Sequence, residues 1–173
     1  MRNIERIALS VFTVVFLMSG SIMADYKPDA IEKIKPAQSE LPENFTFGTI
    51  PGFAKKVLKN NPWILDDSAM KKMVGRIYPG GDYNTVSKIH MSIFANKKNP
   101  YKDDFVCYII IFKNKNTAKK EIEKLTLYSG YNADRTILIS KDNMAVVLLA
   151  DDTANYKYIQ GMAESMQEKI KSL

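Results

Sequence analysis

Residues Phe105 to Phe112 read FVCYIIIF, a run with no charged side chain and no glycine or proline. Successive side chains of a strand point to opposite faces, so a strand with this sequence must be covered on both sides. The run is far too short to cross a bilayer as a helix. It therefore marks the central strand of a layered domain. The preceding segment behaves differently. From Thr85 to Phe94, Ser87, Ile89, Met91 and Ile93 alternate with Lys88, His90 and Ser92, which is the pattern of a half-buried strand with one polar face. Ala95 to Asp104 (ANKKNPYKDD) joins the two as a long polar hairpin loop.

The rest of the chain supplies helices and a second hairpin. Asp66 or Asp67 caps a helix with Met70, Met73, Val74 and Ile77 at helical spacing, and Tyr78-Pro79-Gly80-Gly81 stops it. A shorter helix is expected over Phe53 to Lys59, closed by Asn60-Asn61-Pro62. Phe45 to Ile50 reads as a brief strand. After the central strand, Asn116 caps a helix that buries Ala118, Ile122 and Leu125. Arg135 to Ile139 and Met144 to Ala150 form a hairpin around Lys141-Asp142-Asn143. A last helix starts at Asp151-Asp152-Thr153 and buries Ile159, Met162, Ala163, Met166, Ile170 and Leu173. The order strand, strand, helix thus occurs twice. Asn116-Thr117-Ala118 and Asp152-Thr153-Ala154 stand at matching points, which hints at a duplicated ββα unit. The expected fold is α+β: a mostly antiparallel sheet of four or five strands packed by helices.

The amino terminus reads as an address. Arg2 and Arg6 precede the largely apolar stretch Ile7 to Met18, and small residues lead to a cleavage point after Ala24. Residues 1–24 are thus expected to be a signal peptide, with an uncleaved membrane anchor as the alternative. Residues 25–44, broken by Pro28, Pro36 and Pro42, read as a linker or arm carrying a helical turn from Pro28 to Lys35. Residues 45–173 make the single α+β domain. The export signal points to a periplasmic or secreted protein. With one cysteine, Cys107, it has no disulfide framework, so an apolar core must hold it.

Beyond the leader, 23 basic side chains face 18 acidic ones, and only Arg76 and Arg135 are arginines. Nucleic-acid recognition favours the planar arginine fork over the lysine point charge. Nucleic acid is therefore not an expected partner; an acidic envelope surface or polymer is.

No reactive set assembles from the sequence. His90 is the sole histidine and its strand face looks polar, so it reads as a solvated side chain. Cys107 sits mid-strand, where a thiol behaves as a small hydrophobe. The pairs Asp66-Asp67 and Asp151-Asp152 stand where helices need caps, and Asp103-Asp104 lies in a loop. Gly80-Gly81 leaves a helix and enters a strand, the wrong polarity for a phosphate loop. No cofactor and no metal is expected.

The aromatic and basic loops are more suggestive. Tyr78 and Tyr83 flank the double glycine, Lys97, Lys98 and Tyr101 sit in the hairpin loop, and Tyr131 follows Gly130. Tyrosine offers large contact area at low entropic cost. The leading expectation is an exported, non-catalytic domain that binds a protein partner or an acidic envelope surface through these residues. A small secreted hydrolase-type enzyme is one alternative. An apolar-ligand carrier, lined by Met70, Met73, Met162 and Met166, is another.

Overall fold

The computed structural model describes residues 15–16, 25–50, 52–56, 58–100 and 104–173. The leader assigned to residues 1–24 lies, Val15 and Phe16 apart, outside them. The fold is α+β, with an antiparallel sheet packed by helices on both faces. Six strands pair antiparallel with one another: β2 (Phe45–Phe47), β3 (Trp63–Ile64), β4 (Val86–Asn96), β5 (Asp104–Phe112), β6 (Thr136–Lys141) and β7 (Met144–Ala150). A two-residue strand β1 (Val15–Phe16) lies parallel to Ile139-Ser140 of β6. The sheet order is β1-β6-β7-β5-β4-β2, with β3 also on the outer edge of β4.

β5 is internal, between β4 and β7, as its unbroken apolar sequence requires. Its odd positions Phe105, Cys107, Ile109 and Ile111 pack with Phe94, Val146 and Leu148 on one face. That face is covered by α1 (Ala30–Ile34) and α4 (Tyr156–Lys171). Ile110 and Phe112 point the other way, toward α2 (Asp67–Ile77) and α3 (Lys115–Tyr131). The sheet thus separates two apolar layers. Met70 and Met73 belong to one and Met162 and Met166 to the other, so the two methionine pairs line no common space. The order β4-β5-α3, β6-β7-α4 repeats, yet its two helices go to opposite faces.

Local chemistry fixes the element ends. The Asp66 carboxylate accepts the Ala69 N–H at 2.9 Å and caps α2. Gly80 takes a left-handed φ of +71° after it. A side chain at Gly81 would meet Val74 at 2.7 Å and the Tyr78 ring at 2.9 Å, so the chain passes too close for a Cβ. α3 is capped two residues before the expected Asn116: Asn114, in extended backbone, accepts the Thr117 N–H at 2.9 Å. Asp152 caps a 3-10 turn, Thr153–Asn155, that leads into α4.

Two segments differ from expectation. Phe53 to Lys59 forms no α-helix in its described part; Gly52–Ala54 is a single 3-10 turn. Asn60-Asn61-Pro62 follows closely, and the Asn61–Pro62 bond is cis. The added strand, β3, begins at Trp63. Between β2 and β3 the Asn61 side chain takes the place of a strand. Its Nδ2 donates to the carbonyls of Gly48 and Ile93, both at 2.7 Å, and its Oδ1 accepts the Ile93 N–H at 2.8 Å. The outer edge of β4 is thereby closed.

Residues 25–44 wrap onto the domain. Ile31 and Ile34 are fully buried against the sheet. Asn143 holds the start of the arm, accepting the Tyr26 N–H at 2.6 Å and donating to its carbonyl at 3.0 Å. Lys169 of α4 donates to the Lys35 carbonyl at 3.1 Å and pairs with Glu40.

Candidate functional site

Strand directions decide which sequence-predicted residues meet. β4 ends and β5 begins at one end of the sheet, since Ala95 is opposite Asp104. β7 ends there too, with Ala150 opposite Phe105, and β6 begins there, with Thr136 opposite Leu149. α3 leaves β5 at the far end and returns, so its last residue, Tyr131, arrives at this same end. The hairpin tip with Lys97 and Lys98, the carboxyl end of α3 and the turns at 132–135 and 151–155 therefore share one end of the domain.

This end is open and charged. Tyr131 is 88% exposed, and Leu127, one turn earlier on the same helical stripe, is 64% exposed. Lys97 and Lys98 are exposed. Asp134 pairs with Arg135, with nitrogen–oxygen distances of 3.2 and 3.3 Å. That hydrogen bond first, and the charge beside it, hold the Asp134 carboxyl below the usual carboxylate range. Asp151 and Asp152 add negative potential around Arg135. The basic tip of β4–β5 thus stands beside an acidic margin carried by β6 and β7. Tyr101 lies outside the described residues.

Tyr78 and Tyr83 are elsewhere, beside the connection from α2 to β4. Tyr78 is fully buried and its hydroxyl donates to Glu121 Oε2 at 2.7 Å. Burial, and then the Glu121 charge, push the phenol well above its ordinary pKa. Tyr83 is half-buried and donates to Asp67 at 2.7 Å. The Tyr78 hydroxyl is thus taken up inside the fold, whereas the Tyr83–Asp67 bond lies at the surface.

Glu121 organises this second place and was not singled out from sequence. Its side chain is only 3% exposed. Besides Tyr78, it accepts the Asp82 N–H at 3.0 Å and the Lys124 ammonium at 2.6 Å, and Lys124 also donates to the Gly80 carbonyl at 2.7 Å. Burial alone would raise the Glu121 pKa, but hydrogen bonds from Lys124, Tyr78 and Asp82 outweigh it and bring the value below normal. The carboxylate is a charged tie between the 78–82 loop and α3. The spacing Glu121–Leu125 on a helix that also buries Ala118 was the available signal, because it puts an acid on the apolar stripe.

The third place is the sheet face beneath α1. His90 is 3% exposed and Ser92 fully buried, where the sequence indicates a solvated strand face. α1 is the reason: Ile31 and Ile34 bring cover that the strand's own alternation does not reveal. Ser92 is directly across from Cys107. His90 Nδ1 and Ser92 Oγ are, among the described residues, buried atoms without a hydrogen-bond partner. Burial, followed by the nearby Lys35 ammonium, lowers the His90 pKa to about 4, with Glu32 opposing. Burial pushes the Cys107 thiol up to about 12. The imidazole is neutral and the thiol protonated at neutral pH, so this trio holds no nucleophile.

Among the described residues, no group of three histidine, cysteine or carboxylate side chains is placed to hold a metal ion. None of their helices is long and apolar enough to cross a membrane. The comparisons with family models, curated proteins and solved structures give no significant match to this chain.

Proposed function

We propose that the protein is an exported, non-catalytic domain that binds a protein partner or an acidic envelope surface with the end of the sheet carrying Lys97, Lys98 and Tyr131. The leader sequence is the ground for export. The observation that carries the binding role is Tyr131: a tyrosine 88% exposed, with Leu127 beside it, at the end that also bears the lysine tip. Exposed apolar and aromatic side chains rimmed by polar and charged ones are a frequent make-up of a recognition surface. Tyr78 is buried in the fold and Tyr83 lies away from this end beside the connection from α2 to β4, so the reading rests on Lys97, Lys98 and Tyr131. A hydrolase role draws no support from His90 or Cys107, which are held in their unreactive forms.

The test is affinity capture from the native envelope with the wild-type domain and with a Lys97→Glu, Lys98→Glu, Tyr131→Ala triple variant, compared by mass spectrometry. All three sites are exposed, so the variant is expected to unfold at the wild-type temperature. Loss of one captured species, or of sedimentation with anionic vesicles, supports the reading. Equal capture by both proteins refutes it.

A further inference from the structure

We propose that residues 25–41 form a strap that mild acid releases from the sheet, with His90 as the trigger beneath it. The strap crosses the face of β4 and β5, burying Ile31 and Ile34 there. The polar ties that hold it are the Lys115 N–H on Asp25, the Asn143 side chain on Tyr26, Lys169 on the Lys35 carbonyl, Gln38 with the Phe45 carbonyl and the Thr46 hydroxyl, and Lys169 with Ser165 on Glu40. His90 lies under it with an unsatisfied Nδ1.

The charges around His90 make protonation costly while the strap is closed. From α1 it faces Lys35 and Glu32, which pair with each other at 2.6 Å. Lys88 stands two residues away on the same face of β4. The residues opposite His90 on its two neighbours are apolar, Ile109 of β5 and Ile64 of β3. From α4, Lys169 reaches the strap's Lys35 carbonyl. Lys35 and Lys88 thus stand near His90 with one carboxylate, Glu32, already paired to Lys35, while Lys169 is neutralised by Glu40, so an imidazolium would add a further positive charge in a buried place. Opening the strap returns His90 to water and separates it from Lys35.

The sign follows from linkage. The closed form holds His90 at about 4 against an ordinary 6.5, so the open form binds the extra proton as pH falls through that window. The His90 contribution to strap closure is therefore almost fully present at pH 7 and is lost as pH falls from about 6.5 toward 4. Those two values give about a 20-fold rise in the opening constant between pH 7 and pH 5. Glu40 titrates below the ordinary carboxylate range, because its bonds from Lys169 and the Ala37 N–H outweigh the effect of its burial. Its tie to Lys169 is thus lost only at lower pH, which leaves His90 as the group that moves between pH 7 and 5.

Hydrogen exchange on the full chain tests this, with protection corrected for the intrinsic rate at each pH. The reporter is the Lys35 amide, bonded to the Ile31 carbonyl at 2.8 Å; the control is the set of β5 amides. Expected are a roughly 20-fold loss of protection at Lys35 from pH 7 to 5, no change in β5, and a flat profile in H90Q, or in H90L should H90Q not fold. A flat wild-type profile, an undiminished slope in the substituted protein, or β5 amides falling in step with Lys35 would each overturn the proposal. The wild-type protein supplies a separate check. A His90 ring that titrates near 6.5 in the folded state, followed by NMR, also sinks it.

Discussion

Replacing Glu121 by alanine removes the carboxylate that ties the 78–82 loop to α3. It leaves the Tyr78 hydroxyl and the Asp82 N–H without their acceptor, in a place where Tyr78 is fully buried. Hydrogen bonds to a charged group contribute about 1.5–3 kcal/mol each. The Lys124 contact adds little, because that ammonium is more than one-third exposed. Glu121→Ala should therefore cost about 3–5 kcal/mol, a large share of the about 5–15 kcal/mol that stabilises a domain of this kind. Tyr78→Phe removes one of the two bonds and should cost about 1.5–3 kcal/mol. Once Glu121 is absent, the Tyr78 hydroxyl has no partner to lose, so the double variant should be only slightly worse than Glu121→Ala. The assay is urea unfolding with linear extrapolation on the four proteins of the cycle. A Glu121→Ala cost below about 1 kcal/mol would show that the buried carboxylate is dispensable. Strict additivity of the two changes would show that the Tyr78–Glu121 bond carries no coupling. The pH dependence has a definite sign as well. Glu121 has a lowered folded pKa, so its contribution is present above the ordinary carboxylate value and is lost as pH falls through the lowered one.

Three further outcomes follow from the packing. Asn61→Ala removes the three bonds that close the β4 edge, and should cost about 2–3 kcal/mol by chemical denaturation; light scattering should also show concentration-dependent association through the opened edge. Leu125→Ala, at a fully buried position, should cost about 3–4 kcal/mol, whereas Leu127→Ala two residues along, 64% exposed, should stay within about 0.5 kcal/mol; comparable losses would contradict the assignment of α3's inner face. Cys107, buried and with its thiol raised to about 12, should react with a thiol reagent only at the rate of opening of the domain, so labelling and hydrogen exchange of β5 should give the same opening free energy.

The fold was legible where the sequence repeats a geometric period. The unbroken FVCYIIIF run identified β5 as a strand covered on both faces, and the stripes of Met70–Ile77 and Ile159–Ile170 identified α2 and α4. Short elements escaped because two or three residues carry no period. β3 is two residues long and owes its place to pairing with His90 and Met91 and to the Asn61 side chain beside it. The Phe53–Lys59 stripe has helical spacing, yet Asn60-Asn61-Pro62 and β3 directly after it leave no room to extend the turn. Asn116 and Asn114 are both good caps two residues apart, so the sequence does not separate them. Only the backbone, extended at Asn114, selects between them.

The candidate sites show a different limit. Alternation along β4 correctly separated Ile89, Met91 and Ile93 from Lys88, His90 and Ser92, but alternation says only that two faces differ. It does not say which of them is covered, or by what. The cover over His90 comes from α1, more than fifty residues earlier in the chain, and no local pattern around His90 records it. Likewise, the partner that buries Tyr78 is Glu121, 43 residues later, on a helix whose stripe looked complete without it. Lysines and Tyr131 were easier to place. An exposed side chain needs no distant partner to be exposed, and topology alone carries the end of α3 back to the β4–β5 tip. Exposure can thus be read from local sequence and topology, while the polar groups that the fold hides acquire their character from contacts between distant segments. That is why the surface reading draws on the sequence, and the strap over His90 only on the structure.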